Sequence, residues 1–465
     1  MDEALYSDIV NRFNHGLGFS TPLFKDFIPH VEQYSYWYPP VYFLLLAPIY
    51  QIFGASITVG RLFSLVCATT ALIIAYFLAK KIFKHRLSAI VLLVLLVSDF
   101  YFQDAGIVER MEILTLVWGV LALLFHFIYL SSQKNIHNLI SGILAGICLL
   151  THPTAAIILG PIGLNLLFVK TKNFKQKIVI VVTFALPILI GLLIWMASFW
   201  PNLDIFLLQN KVQIHRKEFA PLFVVETFKF KPLHRLVLLT YFISNFVFIM
   251  RSLINNTLKD AKTRIFFFLA FFSTLLPILM KEMWYLVFIS FFGAIMLVKN
   301  LEYFWDKKFY WPLLGFLSLI VINCLIFFNT LNGIVTNPDN YWSFSEKIAN
   351  MIPQNSSVLM ASYPDPFFYF EKERPDLKLR VTPNNPDTEP IDPNVYNAIF
   401  SDVDYIILSF FLNQHIAQYI NNNLEEVVYD NSQTGGYDVY LIKLKPVADR
   451  EPLVISQDKQ WLYND

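Results

Sequence analysis

Charge is scarce in this sequence of 465 residues: Asp, Glu, Lys and Arg make up 15% of it, where a soluble domain carries roughly a quarter. Cysteine is nearly absent. Cys67, Cys148 and Cys324 each lie inside an apolar run, far apart, which excludes a disulfide framework and a cysteine metal site. Net charge is also missing, since 36 Lys+Arg against 35 Asp+Glu leave +1, which excludes nucleic-acid binding through overall charge. What is abundant is apolar surface. Hydrophobic residues reach 56%, with 45 Phe, 23 Tyr and 9 Trp, and the mean hydropathy is +0.50. A water-soluble globule could not bury that much, so the composition predicts a polytopic α-helical membrane protein.

Apolar stretches near the ~20-residue spanning length run over 59–79, 87–103, 111–130, 138–151, 153–169, 178–199, 234–250, 264–280, 282–298 and 309–330. That is about ten spans across 59–331. The stretch Pro39–Gly54 is different. As a helix its 16 residues reach only ~24 Å, short of a ~30 Å hydrocarbon core. If it does not cross, the loops at 80–86, 131–137, 170–177, 251–264 and 299–308 share one side and hold 16 of the 27 Lys/Arg before Asn332. Positive residues in short loops mark the cytoplasm. Residues 39–54 therefore read as an interfacial helix on the outer face, within a first external segment spanning 1–58. The acids collect on that same outer side, among them Asp2, Glu3, Asp8, Asp104, Glu109, Glu112 and Glu282. No signal peptide or apolar helix stands ahead of Asp2, so either residues 1–58 are translocated unaided or a further membrane helix lies upstream, and the topology favours the second.

From Asn332 onward the chain holds 9 basic and 19 acidic residues, and its periodicity changes. Helices are predicted over Tyr341–Ile352, Pro364–Lys372, 394–401 and 412–422. Strands are predicted over Ser357–Ala361, Leu377–Val381, Tyr405–Ser409, 425–429 and 437–443, with Gly435-Gly436 as the final turn. Residues 382–394 are a Pro/Asn/Asp-rich loop. Alternating elements of this kind make a small external α/β domain over 332–465. It contains no Gly-rich phosphate loop and no nucleophile motif, so it reads as a cap or an acceptor platform.

Candidate chemistry sits at the outer ends of the spans. Asp2-Glu3 precedes Tyr6, Ile9, Val10 and Phe13 at helical spacing, so these acids open an amphipathic helix where a carboxylate can take a proton from an acceptor hydroxyl. Arg110 and Glu112 stand between two spans, either as an ordinary helix-end pair or as a cation set to hold a phosphate. Asp104 lies six residues before Arg110. His152 sits at a helix break before Pro153, which clashes with continued helix; it is a polar turn or a phosphate ligand. Lys281 and Tyr285 occupy another outer turn. Arg61 opens a span against the charge bias, either snorkelling to lipid phosphate or meeting a lipid-linked donor. The loop 200–233, with Lys211, Arg216, Lys217, Lys229 and Lys231, is a solvated loop or a cover for an anionic headgroup.

Taken in order, these residues resemble a polytopic glycosyltransferase of the GT-C class, in the branch of the dolichyl-phosphate-mannose–protein mannosyltransferases and the lipid A aminoarabinose transferases. The resemblance is carried by Asp2-Glu3-Ala4-Leu5-Tyr6, Tyr38-Pro39-Pro40-Val41-Tyr42, Phe53-Gly54 with Arg61-Leu62, Arg110-Met111-Glu112, Thr151-His152-Pro153-Thr154, and Lys281 with Tyr285. It covers roughly 1–300. It implies that Asp2, with Glu3 beside it, activates the acceptor, that 39–54 is a juxtamembrane helix, and that a first transmembrane helix precedes Asp2. Relatives often carry His or Lys where Tyr38 stands, so Lys281 or Arg110 must supply that positive charge here.

The implied donor is a hexosyl (mannosyl) or pentosyl unit on a polyprenyl phosphate, and the acceptor a protein, lipid or glycan. Phosphate leaves without protonation and needs only positive charge to meet it, so one base suffices and the anomeric centre inverts. In this scheme Asp2 is the base, Glu3, Glu112 and Asp104 are accessory acids, and Arg61, Arg110, His152, Lys281 and Tyr285 face the donor phosphate. No ligand spacing requires a divalent cation, although the many acids leave room for one. Two other classes stay open: a transporter or flippase of lipid-linked sugars, which predicts mid-membrane polar residues and internal repeats, and a non-catalytic membrane scaffold.

Overall fold

The computed structural model describes residues 2–25, 27–171, 173–218, 232–280, 283–336, 341–362, 366–381, 393–409, 414–430 and 439–452. Its helices are α1 (Asp2–Asn14), α2 (Val41–Phe53), α3 (Ile57–Ile82), α4 (Arg86–Ser98), α5 (Phe100–Ile107), α6 (Met111–Ser132), α7 (Asn135–Leu149), α8 (Ala156–Leu167), α9 (Phe174–Phe199), α10 (Leu203–Glu218), α11 (Pro232–Ile254), α12 (Ala261–Met280), α13 (Leu286–Asp306) and α14 (Tyr310–Thr336). Six stretches among the described residues are long and apolar enough to cross a membrane: Ile57–Ile82, Met111–Ser132, Phe174–Ile214, His234–Ile254, Ala261–Leu279 and Leu286–Asp306. The pair α4–α5 makes a seventh if its bent halves cross as one. The apolar helices on either side of His152-Pro153 are shorter, as a proline-marked break requires.

Local chemistry sets these boundaries. Ser56 caps α3 by accepting the Val59 N–H at 3.3 Å, and Asn173 caps α9 by accepting the Gln176 N–H at 2.9 Å. The stretch 87–103, expected as one span, is two helices bent by 62°. Asp99 is the cause. Its carboxylate accepts the Phe102 N–H at 2.8 Å and so starts a new helix. It also accepts hydrogen bonds from the hydroxyls of Tyr241, at 2.9 Å, and Ser290. The first segment folds back on the bundle: Gly54, at φ +81°, ends α2, and the Val41 N–H donates to the Leu150 carbonyl at 3.0 Å.

Helix α13 is the central post. Every residue from Leu286 to Val298 is buried, and a Cβ on Gly293 would lie 2.5 Å from the Tyr241 Cβ. Helix α9 is the opposite case, with Leu186, Leu189, Ile190, Leu193 and Ile194 all exposed. In a bilayer that apolar face meets lipid chains and carries no hydration cost.

The C-terminal domain contains α15 (Tyr341–Ala349), β1 (Ser357–Ala361), α16 (Phe367–Glu373), β2 (Lys378–Val381), α17 (Pro393–Phe400), β3 (Tyr405–Ser409), α18 (Gln414–Asn423), β4 (Leu424–Asp430) and β5 (Val439–Leu444). The sheet order is β2-β1-β3-β5-β4. β1 pairs in parallel with β2 and β3, while β5 is antiparallel to β3 and β4. Alternate residues serve opposite faces. Val358, Met360, Ile407 and Leu441 join the core shared with the helical body, whereas Leu359, Ala361, Ile406 and Leu408 pack with Ile399, Phe400, Tyr419 and Ile420. The expected loop 382–394 and Gly435-Gly436 turn lie largely or wholly outside the described residues. The domain is tied to the first segment. The Val381 N–H donates to the Leu23 carbonyl at 2.9 Å, and Asn11 Nδ2 donates to Glu371 Oε1 at 2.6 Å.

Candidate active site

One end of the bundle gathers the starts of α1, α3 and α6, the end of α5, the His152 turn and the Met283–Tyr285 turn ahead of α13. Glu3 lies in the first turn of α1. Arg61, in the second turn of α3, grips it with both arms of its guanidinium: Nε donates to Oε1 and Nη2 to Oε2, each at 2.9 Å. This bidentate geometry is the strong form of such a pair. The Glu109 N–H adds a further donor to Glu3 Oε1 at 3.0 Å.

Glu109 itself is fully buried. Its Oε2 accepts from the Tyr50 hydroxyl at 2.8 Å and from Ser7 Oγ at 2.9 Å, and those two hydroxyls lie 2.5 Å apart. Burial pushes the Glu109 carboxyl up to about 8, against the lowering effect of the two hydroxyl donors. The close approach needs Gly60, because a methyl there would overlap Glu109 Oε2 and lie 2.7 Å from the Tyr50 hydroxyl.

Arg110 is 4% exposed. Its guanidinium carbon lies 3.2 Å from the centroid of the Trp284 ring, and Nη1 is 4.0 Å from Glu112 Oε1. A cation–π face of this kind holds a desolvated cation without neutralising it. Asp104, half-buried on α5, is within electrostatic reach of both Arg110 and Glu3. A wall of rings joins α1 to α13. Tyr6 and Tyr38 are 5.5 Å apart, Tyr38 and His152 6.1 Å, and His152 and Tyr285 5.6 Å. His152 Nδ1 bonds Thr154 Oγ1 at 2.8 Å and accepts the Thr154 N–H at 3.2 Å. Two buried oxygens here, Tyr42 OH and Glu109 Oε1, have no hydrogen-bond partner among the described residues, and such groups call for a ligand or water.

The structure thus brings Glu3, Arg61, Asp104, Arg110, Glu112, His152 and Tyr285 to the same end of the bundle. Asp2 is the first residue of α1, and its side chain lies outside the description. Lys281 lies outside the described residues, as do Lys229 and Lys231; Lys211 instead stands on α10. Arg61, expected on a donor phosphate, gives its guanidinium to Glu3, so any phosphate it met would be shared with that carboxylate. Sequence reasoning assigned no role to Ser7, Tyr50, Glu109 or Trp284. Each is joined to its partner across 43 to 174 residues of chain, and only the adjacency of Glu109 to Arg110 hinted at one of them. Among the described residues no three His, Cys, Asp or Glu side chains converge as a metal-ligating group.

Residues 38–195 match the family model described as dolichyl-phosphate-mannose-protein mannosyltransferase. No curated protein matches the chain in sequence. Among solved structures, ArnT from Cupriavidus metallidurans bound to undecaprenyl phosphate is similar at a TM-score of 0.55 and 10% identity, over 95% of this chain and 93% of that one. The Archaeoglobus fulgidus oligosaccharyltransferase tethered to an acceptor peptide is similar at 0.54 and 12%, over 94% of this chain and 69% of that one. AglB from the same organism, with an inhibitory peptide and a dolichol-phosphate, gives 0.53 and 12%, over 94% and 70%. The chain has the GT-C fold of these structures, and the family match covers residues 38–195 of its 465.

Proposed function

We propose that the chain is a glycosyltransferase that moves a sugar from a polyprenyl phosphate to an acceptor hydroxyl, at the bundle end where Glu3, Arg61, Glu109, Arg110 and Glu112 converge. The observation that carries this reading is Arg110: a buried guanidinium on Trp284, at the same end as the acidic start of α1. ArnT binds undecaprenyl phosphate and AglB a dolichol-phosphate, which supports a lipid-linked donor. The charge bias of the loops supports an external site in the cell membrane.

In the proposed step the acceptor oxygen attacks the anomeric carbon as its proton passes to the Asp2 carboxylate. The bond from that carbon to the phosphate oxygen breaks, the electron pair leaves with the polyprenyl phosphate, and the centre inverts. Glu3 is held by three N–H donors, two of them from the Arg61 guanidinium, which suits an orienting role. Arg110 meets the charge that grows on the departing phosphate, with His152 and Tyr285 on the same side and Glu112 and Asp104 setting the guanidinium. A divalent cation near Asp2 would be a second counter-charge, and loss of rate in EDTA restored by Mg²⁺ or Mn²⁺ would reveal it. The flippase reading predicts polar residues within the membrane, and Asp99 with Tyr241 and Ser290 is one such group, although their hydrogen bonds are made to one another.

The test is transfer from a synthetic polyprenyl-phosphate sugar in proteoliposomes, alongside mass spectrometry of cellular glycans with and without the full-length gene. Asp2→Asn is expected to lower the transfer rate by ~10²–10⁴-fold, the scale of a general base. Undiminished transfer in that variant would overturn the assignment of the base, and unchanged glycans without the gene would overturn the activity.

A further inference from the structure

A cavity of about 450 Å³ opens at the other end of the bundle, between the ends of α3, α11 and α13 and the starts of α4 and α12. Helix α3 joins it to the candidate active site, since Arg61 is in its second turn and Lys81 in its last. The helical rise from Arg61 to Lys81 holds the two places ~30 Å apart, about the thickness of a hydrocarbon core, so the cavity belongs to the opposite membrane face. That face carries the positive loops.

Five cations line it: Lys81, Lys84, Arg251, Lys262 and Lys299. Three acids also line it, and all three are engaged. Glu302 Oε1 accepts from the Lys84 N–H, the His85 N–H and Ser88 Oγ at 3.0, 3.1 and 2.8 Å. Asp306 pairs with Lys84 Nζ at 2.6 Å, and Asp260 caps α12 through the Thr263 N–H at 2.8 Å. Arg251 and Lys299 are left without an ion-pair partner among the described residues. Both are half-buried. Arg251 stacks over Tyr303 at 4.4 Å, and its Nη1 reaches the Lys299 carbonyl at 3.5 Å. Lys299 Nζ donates to the Ile82 carbonyl at 2.7 Å and faces the Phe266 ring at 4.8 Å.

Cations at helix C-termini are favoured by the helix dipole, and that alone explains exposed ones. It does not explain two like charges drawn together into one cavity where five cations outnumber three acids, even with the Glu302 and Asp260 carboxylates acting on Lys299. Such a pair is stable when an anion completes it. Basic pockets between membrane helices on the cytoplasmic side suit anionic headgroups, and the volume admits more than a bare phosphate.

We propose that this cavity binds a phosphate group between Arg251 and Lys299, carried by an anionic phospholipid headgroup or by a soluble phosphate. It is a second anion site, separate from the proposed transfer centre and independent of that reading. The full chain is purified and its thermal unfolding followed with phosphatidylglycerol or phosphatidylcholine in the micelle, and with inorganic phosphate or chloride at equal ionic strength. Stabilisation by phosphatidylglycerol alone identifies a lipid, and stabilisation by inorganic phosphate alone a soluble ligand. Arg251→Gln/Lys299→Gln is expected to weaken the effective probe at least tenfold. Arg251→Lys/Lys299→Arg should stay within about threefold, and Lys307→Gln/Lys308→Gln, outside the cavity, should match the wild type. Acylation of Lys299 in the wild-type protein, followed by peptide mass spectrometry, gives a readout that needs no variant, and the effective probe should slow it. Absence of any shift with either probe, a double Gln variant that binds as the wild type does, or Lys299 acylation indifferent to both probes would each overturn the proposal.

Discussion

The two ends of the helical bundle handle buried charge in opposite ways. At the α1 end, acids and cations meet at hydrogen-bond distance, with Glu3 held by Arg61 and Glu109 by two hydroxyls. At the α13 C-terminal end, Arg251 and Lys299 rest on aromatic rings and carbonyls, without an ion-pair partner among the described residues. The first arrangement fixes side chains in place, as the proposed transfer step needs. The second leaves a net positive lining, as the proposed anion site needs. Arg110 combines both habits, since it has Glu112 at 4.0 Å yet lies flat on Trp284.

The largest effect that would sharpen this contrast is at Arg110. Arg110→Gln should lower kcat by ~10²–10³-fold, the scale of losing one preorganised donor to a developing anion. Steady-state transfer assays check this, with circular dichroism confirming the helices. Next is Gly60→Ala, which places a methyl against the bonded Glu109 carboxylate and should cost ~1–3 kcal/mol of overpacking, read as a lower melting temperature in detergent.

A pH series probes the same carboxyl more gently. Burial raises Glu109 from 4.5 in the unfolded chain to about 8 in the folded one. The folded state therefore keeps a proton that the unfolded state gives up. Its contribution is greatest below pH 4.5, declines as pH rises towards 8, and is flat above that. Glu109→Gln should remove this part of the slope. Asp8, raised to about 7 chiefly by burial, leaves a second part that Asp8→Asn should remove. The smallest expected effect is at the domain junction. Asn11→Ala should lower stability by ~1 kcal/mol, as one lost hydrogen bond does, visible as a small shift in the same melts.

Much of the fold was legible because membrane spans and buried strands are written in runs. The strands Ser357–Ala361 and Tyr405–Ser409 were read to the residue, and the short apolar stretch 39–54 became helix Val41–Phe53. The break at Asp99 was missed because hydropathy averages over a single acid, and what mattered was its bond to the Phe102 N–H. At the candidate site the sequence picked out Glu3, Arg61, Arg110, Glu112 and His152 by their placement at span ends. It could not pair them. Glu3 with Arg61 and Ser7 with Glu109 are contacts across 58 and 102 residues, and no spacing along the chain encodes them. Arg61 shows the cost, since a cation assigned to phosphate has a carboxylate as its neighbour.

Helices α9 and α13 will record mutation differently. Along α9, where most side chains face outward, a saturation library should accept almost any oily residue and refuse charge at its middle, where one charged group costs ~2.5–3.5 kcal/mol. Along α13, packed on all sides, exchange of one aliphatic shape for another should already be selected against. The first helix is constrained in its solubility, the second in its outline.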